Sequence, residues 1–165
     1  MKRLFLFSVV ALLAFASCNP LRVNVGSGLS TKDYQIYFFF DEKNDTTLLV
    51  AEVESEDVQW SQEPKLMFRL GDNSLLELNG NYGDVSYTES ESYMTSSNII
   101  ISDAKYHSKA YFPISDVDAR RFQNGVIKMR ASLVPAAKDK NWSKDVIGKH
   151  LYKAYLKLKT QSDAF

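Results

Sequence analysis

The chain has one cysteine, Cys18, so no disulfide can form within it. Its two histidines, His107 and His150, are the only imidazoles for proton transfer near neutral pH or for zinc, whose sites gather several Cys and His at short spacing. That spacing is missing, and neither a metal nor a cofactor is expected. Asp41, Glu42, Asn44 and Asp45 offer oxygens but lack the glycine and the terminal glutamate of a helix–loop–helix calcium loop. No phosphate-cradling glycine loop is present, and Gly26-Ser27-Gly28-Leu29-Ser30 lacks the spacing of a nucleophile elbow. Lys and Arg number 20 against 20 Asp and Glu and are spread along the chain, which argues against nucleic acid as a partner. No apolar run reaches the roughly 20 residues of a spanning helix.

What is there begins at Met1. Lys2 and Arg3 form a basic head, Leu4–Phe15 is apolar apart from Ser8, and the small residues Ala16 and Ser17 lead to Cys18. Basic head, short apolar run and small-residue exit make a secretory signal peptide. Phe15-Ala16-Ser17-Cys18 resembles the lipobox of bacterial lipoproteins, although Phe15 stands where leucine is usual. That resemblance implies that Cys18 is lipidated and becomes the first mature residue. Loss of Lys2 and Arg3 leaves 18 basic against 20 acidic side chains, a net charge of −2. The expected organisation is a signal peptide over 1–17, a lipidated flexible tether over 18–32 and a β-rich globular domain over 33–165. Pro20, Gly26, Gly28 and Ser30 suit the tether. Asn19, Pro20, Leu21 and Arg22 form no acidic cluster of the kind that follows the cysteine in some surface-exported lipoproteins. Outer-membrane attachment on the periplasmic face is therefore the expected placement.

Within the domain, ten Phe, nine Tyr and two Trp favour strands. Tyr34–Phe40 alternates Tyr34, Ile36, Phe38 and Phe40 against Gln35, Tyr37 and Phe39. After the polar turn Asp41–Asp45, Thr47–Val53 completes a hairpin. Val58–Pro64 reads as loop or edge, because Pro64 cannot donate to a ladder. Lys65–Leu70 and Leu75–Asn79 form a second hairpin around Gly71-Asp72-Asn73-Ser74, residues that tolerate positive φ or bond their own backbone. Asn79–Asp84 reads as turn and Thr88–Ser97 as a polar surface loop. Asn98–Ser102 and Lys105–Ile114 are short strands, with Lys105, His107, Lys109 and Tyr111 outward. Ser115 and Asp118 predict a capping box opening a short helix that Gly125 ends. Val126–Leu133 is a strand with Ile127, Met129, Ala131 and Leu133 inward.

The segment from Ser143 to Lys159 supports two readings. Ser143 as cap, Trp142 with Ile147 as a staple, and the stripe Ile147, Leu151, Ala154, Tyr155, Leu158 make a helix. Tyr152, Ala154, Leu156 and Leu158 also alternate as in a strand, and Gly148 costs a helix about 1 kcal/mol. Cap, staple and stripe agree, so helix is preferred. The fold expected is mainly β, one antiparallel sandwich or partly open barrel of about seven or eight strands, with a short helix and a C-terminal helix. Phe112-Pro113-Ile114-Ser115, Asn124-Gly125-Val126-Ile127-Lys128-Met129-Arg130 and Gly148-Lys149-His150-Leu151-Tyr152-Lys153-Ala154-Tyr155 resemble the C-terminal portion of a family of small uncharacterised lipoproteins of Bacteroidetes-type bacteria. The resemblance covers about a third of the chain. It implies an exported, anchored β-rich domain and supplies no activity and no site residues.

Trp60, Tyr82, Tyr87 and Tyr93 lie in loops on this reading, where aromatics stack on sugars, grip a partner or close over a sheet edge. Asp45-Thr46-Thr47 resembles a short O-glycosylation motif of exported proteins from the same bacterial group, with Thr46 as acceptor. The function expected is a non-catalytic envelope lipoprotein that binds a protein or glycan. One alternative is a small envelope hydrolase whose site converges from scattered residues, with His107 or His150 as base. Another is a structural subunit whose Tyr34–Phe40 edge accepts a partner strand. Replacing Cys18 with alanine is expected to move the protein from the membrane fraction to the soluble fraction. Retention on membranes in a fractionation blot would refute lipid anchoring.

Overall fold

The computed structural model describes residues 21–24, 34–88, 93–94, 100–101, 105–145 and 147–162. In chain order the elements are β1 (Val23–Asn24), β2 (Tyr34–Lys43), β3 (Thr46–Ser55), β4 (Gln59–Trp60), β5 (Lys65–Leu70), β6 (Leu75–Asn79), β7 (Asn81–Thr88), β8 (Tyr93–Met94), β9 (Ile100–Ile101), β10 (Lys105–Pro113), α1 (Asp116–Arg121), a 3-10 turn (Phe122–Asn124), β11 (Val126–Ala131), β12 (Leu133–Val134), β13 (Lys138–Asn141) and α2 (Gly148–Ser162). The protein is mainly β. Eight of the described strands have four residues or more, all pairing is antiparallel, and the two larger sheets do not close into a barrel.

The five-stranded sheet has the order β1-β2-β3-β10-β7 and the four-stranded sheet the order β13-β11-β5-β6. Their inner faces share one core. Ile36, Phe38, Leu49, Ala51, Ala110 and Phe112 come from the first, and Leu66, Phe68, Leu76, Leu78 and Met129 from the second. Phe68 is central: its ring meets Phe38 across the sheets at 6.2 Å and Phe122 edge-on at 5.2 Å. β2 and β3 alternate as their period-two pattern demands, and a two-residue turn with Asn44 and Asp45 at positive φ joins them. The predicted five-residue turn is thus mostly strand. The β5–β6 turn behaves as expected, with Asn73 at φ 65° and the Asp72 carboxylate accepting from Ser74 N at 2.9 Å.

Several expectations need correction. Asn79–Asp84 is strand for most of its length, because β7 starts at Asn81. Its glycines reflect crowding rather than turning: a Cβ on Gly83 would lie 2.4 Å from the Tyr111 ring. Tyr93–Met94, placed in a loop by the sequence, pairs with Ile101–Ile100. Val126, not Ile127, is the buried first position of β11, because the register slips between Val126 and Lys128. β13 lacks any apolar alternation and escaped the sequence reading. Leu21–Asn24 lie inside the stretch read as a flexible tether, yet Val23 is buried and pairs with Phe38, and Leu21 packs on the core.

Ser115 caps α1, its Oγ accepting from Asp118 N at 3.1 Å; Asp118 answers by accepting from the Ser115 hydroxyl at 2.8 Å, and Gly125 at φ 79° ends the following turn. The C-terminal segment is helix. Its cap is Asp145 rather than Ser143: Oδ1 accepts from Gly148 N at 2.8 Å and Oδ2 from Lys149 N at 3.2 Å. Oδ1 also accepts from Val126 N at 2.9 Å, joining helix start to strand start. Ile147, Leu151, Ala154 and Tyr155 are buried as the stripe predicts, and Tyr155 meets Phe40 at 5.8 Å. Asp145→Ala strips partners from two chain segments and is expected to cost about 2–3 kcal/mol, whereas Ser143→Ala should stay within about 0.5 kcal/mol. Denaturant unfolding of both variants checks the assignment, and equal losses would refute it.

Candidate functional site

The outer face of the five-stranded sheet carries a buried carboxylate with two side-chain partners. Glu52 on β3 points away from the core yet is only 5% exposed. Arg22 Nη2 donates to its Oε2 at 3.2 Å, and His107 Nδ1 lies 3.0 Å from its Oε1. The Arg22 guanidinium also lies over Tyr37 and Phe39, 5.9 and 5.8 Å from their ring centres. One register step along, Lys105 Nζ reaches Glu54 at 3.1 Å. Strand pairing builds this group: Tyr37, Glu52 and Lys109 stand side by side across β2, β3 and β10, and so do Gln35, Glu54 and His107.

Chemically, Glu52 and His107 set a carboxylate beside an imidazole, two of the three groups that a hydroxyl-activating relay requires. Ser86 stands directly across from His107 in the β10–β7 register. The second oxygen of Glu52 is committed to Arg22, so the carboxylate also fastens the segment leading into β1. A histidine read from sequence as solvent-facing is therefore half-buried against an acid. Nothing local in Lys105–Lys109 announces this, because the partner is 55 residues away. His150, by contrast, is exposed on α2 beside Arg22 and Lys153.

The aromatic candidates separate. Trp60 is 1% exposed, donates Nε1–H to Ala51 O at 3.0 Å and packs edge-on against Phe112 at 5.4 Å. Its ring is core, not a stacking surface. Tyr82 is half-buried on β7, its hydroxyl 3.2 Å from Gln59 Oε1. Tyr87 is 51% exposed and stands beside Tyr106, itself 43% exposed, with ring centres 5.3 Å apart. These two continue the inner-face parity of β7 and β10 beyond the core, where Val85 is exposed as well. The sequence missed Tyr106 because its parity reads as core. Tyr93 pairs through its backbone with Ile101, and its side chain lies outside the described residues. Thr46 is exposed beside the β2–β3 turn, and Cys18 lies outside the described residues. Among the described residues no cluster of three or more His, Cys, Asp or Glu could hold a metal, and no helix is long and apolar enough to cross a membrane.

Compared with known proteins, the chain matches no family model, and no curated protein and no solved structure is similar to it.

Two groups on this face have pKa values displaced upward. Burial first, then the Glu54 carboxylate, raises the Tyr37 phenol above 10.0. Hydrogen bonding to Glu54 raises the Lys105 ammonium above 10.5. Both folded values exceed the unfolded ones, so the stability they contribute is complete below the unfolded pKa and is lost as pH rises through the folded one. Melting temperature is therefore expected to fall as pH climbs past 10.0, and Tyr37→Phe should make the fall shallower. Parallel melts of both proteins from about pH 8 to about pH 11 check this, and an unchanged slope would refute it.

Proposed function

We propose that this chain is a non-catalytic lipoprotein of a bacterial cell envelope. Acyl chains on Cys18 hold it to the outer membrane, on the periplasmic face, and its β-rich body engages an envelope protein or glycan. The observation that carries the reading is the Met1–Cys18 pattern followed at once by a docked segment. Leu21 is packed on the core and β1 is paired with β2, only a few residues after the cysteine. A body that starts so close to an acylated residue works at a bilayer. Two acyl chains or more supply the anchoring that one chain does not.

The partner-binding part rests on Tyr87 and Tyr106. An exposed aromatic pair, its rings tilted against each other at 56°, offers apolar surface to a sugar ring or a side chain. The hydrolase alternative draws support from the His107–Glu52 contact. For the structural-subunit alternative, the edge of β2 is met by β1 only at Tyr37 and Phe38, within the proposed acceptor stretch. The test is a crosslinked pull-down from native membranes together with sedimentation on isolated envelope polysaccharide. The unmodified protein and a Tyr87→Ala/Tyr106→Ala variant are compared, with radiolabelled palmitate incorporation measured alongside. The expected result is palmitate in both proteins and recovery of partner or glycan lower by about tenfold in the variant. Equal recovery would refute the aromatic surface, and absent label would refute the anchor.

A further inference from the structure

The exposed face of α2 has a composition that the core does not require. Lys149, Lys153 and Lys157 project from it at successive turns, and Leu156 stands among them 45% exposed. Two shallow grooves run between this face and the segment entering β1. Leu21, Arg22, His150 and Lys153 line one, and Leu21, Asp41 and Lys157 line the other. Leu21 thus belongs to both grooves. Asp41 is the one carboxylate among the residues lining them, against Lys153 and Lys157, while Arg22 is paired with Glu52.

Leu21 is also where covalent geometry matters. Two residues, Asn19 and Pro20, separate it from Cys18, a reach of about 10 Å even when the backbone is fully extended. Whatever Cys18 carries is therefore confined near the Lys153–Lys157 face. We infer that this face of α2, with Leu156 among its lysines, lies against an anionic phospholipid surface. The inference rests on the proposed acylation of Cys18. Lysines on flexible stems reach headgroup phosphates while the helix stays parallel to the bilayer, and Leu156 is placed to enter the headgroup layer. Weak intrinsic attraction suffices, because the anchor holds the face at high effective concentration. The interaction gives the domain a fixed orientation and directs the Tyr87–Tyr106 end away from the helix-covered end.

The test uses the full chain, expressed and processed in a bacterial envelope and reconstituted into vesicles of phosphatidylglycerol and phosphatidylethanolamine. A thiol-reactive fluorophore is placed at Thr160→Cys on the α2 face, or at Ser86→Cys as a distant control. Vesicles carry a headgroup nitroxide quencher. Flotation with vesicles reports the anchor, and quenching reports the face. The expected result is flotation of both proteins, with quenching several-fold stronger at position 160 than at 86. Adding Lys153→Glu and Lys157→Glu should abolish that difference while flotation persists. Flotation with equal quenching at both positions overturns the orientation and leaves the anchor standing. No flotation, with Cys18 itself taking up fluorophore in the otherwise unsubstituted protein, overturns the anchor and the orientation with it.

Discussion

One carboxylate joins the C-terminal helix to the β framework. Asp145 accepts hydrogen bonds from the first amides of α2 and from the first amide of β11, so neither segment can shift without stranding a polar group of the other. The junction also requires bare backbone. A Cβ on Gly148 would stand 2.7 Å from Gly125 Cα, and one on Gly125 would stand 2.8 Å from the Asp145 side chain. Gly148 therefore weakens the helix by propensity and permits it by packing. Once the helix start is held, Ile147, Leu151 and Tyr155 follow onto the core, and Tyr155 closes over Phe40 at the end of β2.

This arrangement gives the body two unlike ends. Near the β2–β3 turn the core is covered by α2 and by the incoming Leu21, and charged groups dominate, among them Lys159 beside Glu42 and Asp116. At the other end of the same strands, β7 and β10 outrun the second sheet and leave Tyr87, Tyr106 and Val85 in water. The outer face between them is fastened by Glu52, which takes its charge partners from β10 and from the segment before β1. A carboxylate at this depth is tolerated because both of its oxygens have cationic or imidazole neighbours.

Much of the fold was legible from local chemistry. The alternation of β2, β3, β5 and β6, the turn residues at Asn73, the Ser115 cap and the α2 stripe are all interactions between near neighbours in sequence. The misses share another cause. β7 was hidden because Gly83 within it answers to the Tyr111 ring, and Gly80 just before it to the Phe112 ring, both on another strand. β13 was hidden because it is a charged edge whose Asp139 pairs with Arg130 across the ladder. Asp145 was passed over for Ser143 because its value lies in reaching Val126 as well as the helix. Of the candidate site, Tyr87 was named for its type but placed in a loop, and the Glu52–His107 contact depended on a register no short window contains.

The pairing of β1 has a mechanical side. On the proposed reading, any pull between bilayer and body reaches Leu21 on the core and the Arg22–Glu52 pair, and then a ladder only two residues long, Val23 and Asn24 against Phe38 and Tyr37. β2 keeps its full ladder to β3 whether or not β1 is attached. Peeling β1 away would leave the 15 residues between Cys18 and Tyr34 to span up to about 55 Å of contour, while the sandwich stays intact. The short strand then acts as a stowed extension: attached, it keeps the domain close to the lipid, and under tension it pays out slack before the core feels the force.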